Sequence, residues 1–424
     1  MPFPPIGIHD LALAFPRNRL LLSGLAARRI LENPEIEKHL VRALATTGQR
    51  AMRYPSVWED TVTLAAEALR SLLDRRREID LSGLRFLALG TETGVDMSKS
   101  GSSYVLGLLQ RAGYRLPTSL SSFQVQQACA GGALALLTVG AFLQAAGRDG
   151  ETAIVLTSDI ARYLAPSTAE VTQGAGASAL LMARNPDLIE LDLVNAGFAS
   201  HDVDDFFRPL GSTVAKVRGR FSIDCYNQAF LEAFEDHCRR AGSSPAEELL
   251  SVDGFFLHVP YVNMPILAME KLLEKHLSLD AAGARSFLGE RGFFAGLESS
   301  AEIGNLYTGG LFLSLASGLA ERTRAWGPAA TGKKILLASY GAGNTMAVFT
   351  GRVAPRAAET IARWDLEALL GDYEEPPFES YQAWLDTVKI PETYASVLAV
   401  HRPPAGRFAL TGLREDGYRE YGLV

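Results

Sequence analysis

Three residues in this chain, Cys129, His258 and Glu92, have the types and settings needed for covalent acyl transfer. Cys129 stands where the uncharged stretch from Leu116 to Gly147 turns into an apolar helix, with Ala130, Gly131 and Gly132 directly after it. A helix N-terminus favours a thiolate, and its free backbone N–H groups can hold the oxyanion formed when a thioester is attacked. Core filling is the equal alternative for a single cysteine in an apolar stretch. His258 ends the apolar run Gly254-Phe-Phe-Leu and leads into Val259-Pro-Tyr, so it emerges from the edge of a buried strand, where α/β proteins place catalytic side chains. A hydrogen-bonded core histidine is the competing reading. Glu92 follows Leu87-Ala-Leu-Gly-Thr at another strand end, and a carboxylate on a mostly apolar segment can have the raised pKa that proton transfer needs. Alone, it would equally serve as a helix cap or a lysine partner. Cys225 and Cys238 lack such settings and read as packing, and the other histidines lie in polar or terminal contexts.

The elements that must carry these residues alternate. Apolar spacing predicts a helix from Trp58 to Leu73 and buried strands over Leu84–Gly90, Thr152–Thr157, Ala179–Met182, Gly254–His258 and Lys334–Ser339. An α/β protein with a mainly buried sheet follows. The second part of the uncharged stretch reads as a helix buried on all sides rather than a membrane span, because Ser, Gln, Thr and paired Gly interrupt it.

An internal echo divides the chain. Cys129-Ala-Gly-Gly and Tyr307-Thr-Gly-Gly each open an apolar helix, and each is followed by Gly-Ala-Gly before another apolar run, at Gly174–Gly176 and Gly341–Gly343. A repeat this long means duplicated halves rather than a solenoid. We divide it into an N-terminal half, 1–185, carrying Glu92 and Cys129, and a C-terminal half, 186–424, carrying His258, with a helical region and a short strand pair appended from about Ala354. A dinucleotide loop needs a helix after its glycines, whereas Thr345–Thr350 reads as strand. Gly174–Gly176 is therefore read as a turn into a strand. For Ser339–Gly343 a turn and a close approach of the backbone to substrate, with Gly341 at its centre, are equally open.

Composition sets outer bounds. The chain has 424 residues, 47% apolar and 21% charged, with a formal net charge of -7, which excludes a largely disordered chain and argues against nucleic-acid binding. Three cysteines without paired spacing indicate neither a disulfide framework nor a zinc site, and point to a reducing, cytoplasmic location. The start, Met1-Pro-Phe-Pro-Pro-Ile-Gly, does not read as a secretory signal.

Several blocks stand together in a known order: Gly48-Gln49 with Met52, Glu59-Asp-Thr-Val-Thr, Gly90-Thr-Glu-Thr, Gln127-Ala-Cys-Ala-Gly, Thr172-Gln-Gly-Ala-Gly-Ala, Asp205-Phe-Phe-Arg-Pro, His258-Val-Pro-Tyr, Gly304-Asn-Leu-Tyr-Thr-Gly and Ser339-Tyr-Gly-Ala-Gly. On these the chain resembles the 3-hydroxy-3-methylglutaryl-CoA synthase family of the thiolase superfamily over nearly its whole length. The resemblance implies a thiolase-like fold with two pseudo-symmetric halves, each a five-stranded mixed sheet covered by helices in αβαβα layers. It implies Cys129 as acetyl carrier, Glu92 as the base that enolises the acetyl group, and His258 as the residue that positions the ketone of acetoacetyl-CoA. Asn305 should assist His258, while Tyr163, Thr172, Phe206 and Ser339 should line the acyl pocket. Acetyl-CoA and acetoacetyl-CoA are the implied substrates, with no metal or tightly bound cofactor, and a homodimer is the implied assembly.

One segment departs from the family pattern. Lysines usually follow the catalytic histidine to meet coenzyme A phosphates, but Val259-Pro-Tyr-Val-Asn-Met-Pro-Ile-Leu has none before Lys271. Lys216, Arg218 and Arg220 alternate instead, and would share one side of an extended segment. They are a candidate patch for CoA phosphates or for the acidic surface of an acyl carrier protein. The expected reaction is therefore synthesis of hydroxymethylglutaryl-CoA for the mevalonate route to isoprenoids, with the carrier-protein version that β-branches polyketides as the close alternative. Decarboxylative condensation of the ketoacyl synthase III type uses Cys, His and Asn, so Glu92 speaks against it. A non-catalytic paralogue is disfavoured by the intact triad, and a thioesterase by the missing Gly-x-Ser-x-Gly elbow.

Overall fold

The computed structural model describes residues 4–386, 396, 398, 399 and 401–424. Met1-Pro-Phe, where the chain's start was read, and part of the appended region lie outside the described residues. Nine strands form one mixed sheet: β1 (Ile6–Ala14), β2 (Leu84–Gly90), β3 (Ser121–Val125), β4 (Thr152–Ala161), β5 (Gly174–Arg184), β6 (Ile189–Ser200), β7 (Gly254–Leu257), β8 (Lys334–Gly341) and β9 (Thr345–Val353), in the order β7-β8-β9-β6-β1-β5-β4-β2-β3. The main helices are α1 (Thr61–Arg75), α2 (Gly101–Arg111), α3 (Gly131–Ala146), α4 (Gly219–Ala241), α5 (Asn263–Leu277) and α6 (Gly310–Trp326).

The echo in the sequence is a duplication in space. Read outward from the centre, β1-β5-β4-β2 matches β6-β9-β8-β7, with the same pairing senses: β2 and β7 run parallel to β4 and β8, and the other ladders of these two sets are antiparallel, while β3 adds a further parallel ladder to β2. α3 precedes β4 as α6 precedes β8. The expectation of five strands per half holds for the first half, but the second contributes four. No strand stands opposite β3 among the described residues, because the chain before α6 is the turn Gly304–Tyr307, whose Gly304 (φ 91) makes only an isolated bridge to Gly174. The halves are also not separate sheets, since Gly7 and Ile8 of β1 pair with Glu190 and Ile189 of β6.

Local chemistry explains the boundaries. The helix expected from Trp58 begins at Thr61 because Asp60 caps it: its carboxylate accepts the N–H groups of Val62 (2.9 Å) and Thr63 (3.2 Å), and Thr63 Oγ1 accepts the Asp60 N–H. Strands β4, β5 and β8, buried along almost their whole length, extend beyond the apolar runs that announced them. Helix α3 packs in the core as expected at its start, yet Thr138, Ala141, Phe142 and Ala145 form an exposed stripe near its end. It was not predicted, because an uncharged helix with only Thr138 and Gln144 as polar residues has no charged face to mark a solvent side.

The appended region holds the helices Ala357–Ala362, Leu366–Gly371 and Phe378–Asp386 and the antiparallel pair Phe408–Leu413 with Arg419–Leu423. Although it follows the second half in the chain, Tyr381, Trp384, Phe408, Leu410 and Tyr421 pack into the first-half core beside α1 and α2.

Candidate active site

Glu92 lies just past β2, His258 just past β7, and Cys129 two residues before α3, so strand ends and a helix start deliver the three candidates. Cys129 Sγ lies 3.0 Å from Glu92 Oε1 and donates to it. Cys129 is 8% exposed. Burial pushes its thiol well above the ordinary range, and the Glu92 carboxylate adds to this. The helix start was expected to favour the thiolate; desolvation and a neighbouring carboxylate outweigh it, and the resting state is a thiol hydrogen-bonded to Glu92. Burial, with Asp159 adding a like charge, raises Glu92 to about 7.

His258 is almost wholly buried, and neither ring nitrogen has a hydrogen-bond partner. Burial lowers it to about 3, so the ring is neutral at physiological pH. Its backbone is fixed by Ala338 (2.8 Å) and by the Tyr226 hydroxyl, which donates to its carbonyl at 3.0 Å. A side chain on Gly310, at the start of α6, would meet His258 Nδ1 at 2.9 Å. The hydrogen-bonded core histidine considered from sequence is therefore not what the fold builds: the ring is held by its backbone and left open at both nitrogens.

The remaining candidates fall into three groups. Tyr163 and Phe206 pack edge to face at 6.3 Å, Phe206 packs on Tyr307 at 5.8 Å, and Phe206, Tyr307 and Cys129 share one small cluster. Thr172 adjoins the Tyr163 phenol, and its hydroxyl donates to Ala169 O. Asn305 is buried, with Oδ1 accepting the Tyr307 N–H at 2.9 Å; it makes no hydrogen bond to His258. Ser339 is buried inside β8 rather than on a loop. Gly341 ends that strand, and a Cβ there would fall 2.2 Å from Gln127 O and 2.9 Å from Ala130 N, so its close approach is to the turn carrying Cys129.

Lys216, Arg218 and Arg220 are all exposed, but not on one extended face. Lys216–Val217 pairs with Phe206–Phe207, Arg218 is ion-paired with Asp204 at 3.0 Å, and α4 begins at Gly219, placing Arg220 in its first turn. Alternation across a sheet ends where the helix starts, which corrects the single-sided stripe.

Three residues of the site were not singled out from sequence. Asp159, fully buried near the end of β4, accepts on Oδ1 from Thr91 Oγ1 (2.9 Å), Glu92 N (3.0 Å), Thr93 N (3.1 Å) and Thr93 Oγ1 (2.7 Å), and on Oδ2 from Thr308 N (3.0 Å) and Thr308 Oγ1. It therefore fixes the Glu92 loop against the start of α6. Arg208 donates to Glu92 O at 2.5 Å and sits 3.7 Å from Glu92 Oε2, a charge that opposes the rise in Glu92's pKa. Tyr307 is fully buried; its hydroxyl lacks a hydrogen bond of normal geometry, although Tyr163 and Arg208 adjoin it. Their signals were present, Asp159 beside Ile-Ala-Arg-Tyr, Arg208 in Asp-Phe-Phe-Arg-Pro and Tyr307 opening the echo, but the contacts that give them roles are tertiary.

Comparison with known proteins agrees with this arrangement. The family profile for the hydroxymethylglutaryl-coenzyme A synthase N terminal region matches residues 23–187, and that for the C terminal region matches 290–389. The chain is 28% identical over 378 residues to hydroxymethylglutaryl-CoA synthase of Enterococcus faecalis, covering 89% of this chain and 91% of that one. It is 26% identical over 371 residues to the polyketide biosynthesis 3-hydroxy-3-methylglutaryl-ACP synthase PksG of Bacillus subtilis, covering 84% and 82%. A solved structure, MvaS in complex with 3-hydroxy-3-methylglutaryl coenzyme A, superimposes with a TM-score of 0.83 at 33% identity, covering 99% of both chains. With the fold, the length and both terminal regions matched, the chain belongs to the hydroxymethylglutaryl-coenzyme A synthase family, whose members are carbon–carbon bond-forming acyl transferases.

Proposed function

We propose that this protein condenses an acetyl thioester with an acetoacetyl thioester through an acetyl–Cys129 intermediate, and then hydrolyses the product from the enzyme. The observation that carries the reading is the 3.0 Å contact between Cys129 Sγ and a Glu92 whose pKa is raised to about 7. A carboxylate tuned near neutrality and touching the nucleophile can take a proton from the acetyl methyl group once that group is on sulfur. His258, neutral with both nitrogens open, can donate from one of them to the ketone of the acceptor, with Asn305 beside the turn that opens α6. The new tertiary alkoxide takes a proton by way of Glu92, and water then cleaves the thioester. Backbone N–H groups at Cys129 and Ser339 are the proposed oxyanion hole. Tyr163, Phe206 and Thr172 form the proposed wall of the acyl pocket, closed by the backbone at Gly341.

Mass spectrometry after mixing with acetyl-CoA alone tests the first half-reaction. A 42 Da adduct, roughly the mass of an acetyl group replacing hydrogen, is expected on Cys129 and absent in Cys129→Ala. An adduct elsewhere, or none with any acetyl thioester, would remove the nucleophile from the reading.

The family contains both free-CoA and carrier-protein enzymes, and we infer that the exposed bases at Lys216, Arg218 and Arg220 receive the donor's carrier. Exposed Phe207, Val217 and Phe221 lie among them, so the surface joins positive charge to apolar area. The same hairpin turns Phe206 and Arg208 inward to the site. Replacing all three bases with Ala is expected to raise the KM for the preferred donor about tenfold, since exposed charges contribute little singly and act mainly on encounter. Comparing acetyl-CoA with acetyl-carrier protein identifies that donor, and an unchanged KM for both would discard the patch. The mevalonate route is the proposed setting if CoA is preferred, and polyketide β-branching if the carrier protein is.

The remaining assignments are a homodimer in a reducing, cytoplasmic setting, with halves divided at 185/186 between β5 and β6. Exposed Phe142 (39%), stacked on Phe86 and lying near the edge strand β3, supports β3 and the α3 stripe as the face between copies.

A further inference from the structure

The appended helix Phe378–Asp386 reaches the acyl pocket through one continuous hydrogen-bonded line. Arg29 holds Glu170 with Nη2 to Oε1 (2.7 Å) and Nε to Oε2 (3.0 Å). The Tyr381 hydroxyl donates to Glu170 Oε1 at 2.8 Å and accepts from Gln173 Nε2 at 2.7 Å. Gln173 Oε1 then accepts the backbone N–H of Tyr163 at 2.9 Å. Arg29, Glu170, Gln173 and Tyr381 are at most 4% exposed. The donor order has one consistent direction. The carboxylate, charge-paired with Arg29, can only accept, so Tyr381 must donate to it. The phenol oxygen is then left to accept, which turns the Gln173 amide nitrogen toward Tyr381 and its oxygen toward Tyr163. Beside this line the Arg162 guanidinium lies 3.9 Å over the Trp384 ring, so neighbouring residues of the pocket segment are gripped by the same helix.

We infer that Tyr381 is a positioning residue for the acyl pocket, setting the Tyr163 backbone through Gln173 and so helping to choose the length of the acyl group on Cys129. This rests on the proposed role of Tyr163 as pocket wall. A contact that served stability alone would end in the core, whereas this one ends on the backbone of the residue that packs on Phe206 and adjoins Tyr307, next to the nucleophile. The duplicated halves do not supply the brace; the segment added after them does.

The test compares acetyl-CoA with propionyl-CoA as donors. Tyr381→Phe keeps the ring and removes only the hydroxyl, and is expected to narrow the acetyl preference in kcat/KM about tenfold, the scale of one misplaced hydrogen bond. The alkylation rate of Cys129 by iodoacetamide should stay at the wild-type value. Gln173→Met should narrow the preference equally, and the double variant no further, because both break one line. Phe408→Leu removes a buried ring of the same appended region, under the Arg70 guanidinium, and should lower the melting temperature while leaving the preference unchanged. An unchanged preference in Tyr381→Phe, or equal narrowing in Phe408→Leu, overturns the inference. Tyr163→Leu separates its foundation: no change of preference there refutes the pocket wall itself, and the inference falls with it, whereas a change there with none in Tyr381→Phe refutes the brace alone.

Discussion

Glu92→Gln is expected to slow carbon–carbon bond formation by about three orders of magnitude while acetylation of Cys129 falls far less, because positioned general bases contribute on the order of a hundred to ten thousand fold. The two half-reactions ask different things of the same carboxylate. Acetyl transfer exchanges one thioester for another with little net change in bonding, and a hydrogen-bonding amide preserves much of the contact to Sγ. Removing a proton from a methyl group beside a thioester carbonyl has no such balance and needs a base of matched pKa. Rapid-quench measurement of acetyl-enzyme formation and of product formation checks this directly. Equal losses in both steps, or a condensation rate within tenfold of wild type, would sink the assignment. The variant also has a stability signature. Folded Glu92, raised to about 7, keeps a proton that the unfolded chain has released above its ordinary pKa of 4.5. Stability therefore falls as pH rises from about 4.5 to about 7, by roughly 3 kcal/mol for this one group. Glu59, also raised by burial to about 7, has the same dependence, whereas His258, lowered to about 3, has the opposite one below its ordinary 6.5, so Glu92→Gln should remove one falling contribution rather than abolish the profile.

Asp159→Asn should have the second largest effect, on both stability and pH profile. Both carboxylate oxygens of Asp159 accept backbone N–H groups, those of Glu92 and Thr93 on Oδ1 and that of Thr308 on Oδ2, so either orientation of an amide points its NH2 group at a donor that cannot accept. Loss of about 3 kcal/mol is expected from the donors left unpaired, seen as an earlier urea midpoint. The charge also raises the pKa of Glu92, so its removal should move the rising limb of the condensation rate from about 7 toward lower pH. A shift upward, or an unchanged midpoint, would contradict the roles given to Asp159. Variation at Thr308 alone should affect stability less, because Oδ1 keeps its contacts with the Glu92 loop.

Much of the site was legible because its decisive residues follow short apolar runs. Cys129, Glu92 and His258 could be chosen from what precedes and follows them, and the halves from two echoes in the same order. The chemistry of the neighbours was not legible in that way. Asp159 acquires its role only when β4, the Glu92 loop and the start of α6 meet, and Arg208 only when the hairpin at Phe206 folds inward. The thiolate expected from a helix start gave way to a protonated thiol, because local sequence shows a dipole but not the depth of burial. Arg220 left the expected stripe for a similar reason, since no proline or cap marked the start of α4 in the sequence. The exposed side of α3 was hidden for the opposite reason: no charged residue marks any face of that helix.

The duplication also has a consequence for the electrostatics of the centre. Gly132 at the start of α3 lies so close to Thr308 O and Phe312 that a side chain there would meet them at 3.0 and 3.2 Å, while Gly310 at the start of α6 lies against His258. The twofold relation thus brings the positive ends of two long helices to one point, where their fields add as vectors that neither half could supply alone. Such a field disfavours an imidazolium and favours an enolate or an alkoxide. Symmetry, in this fold, selects the sign of the charge that the reaction is allowed to develop.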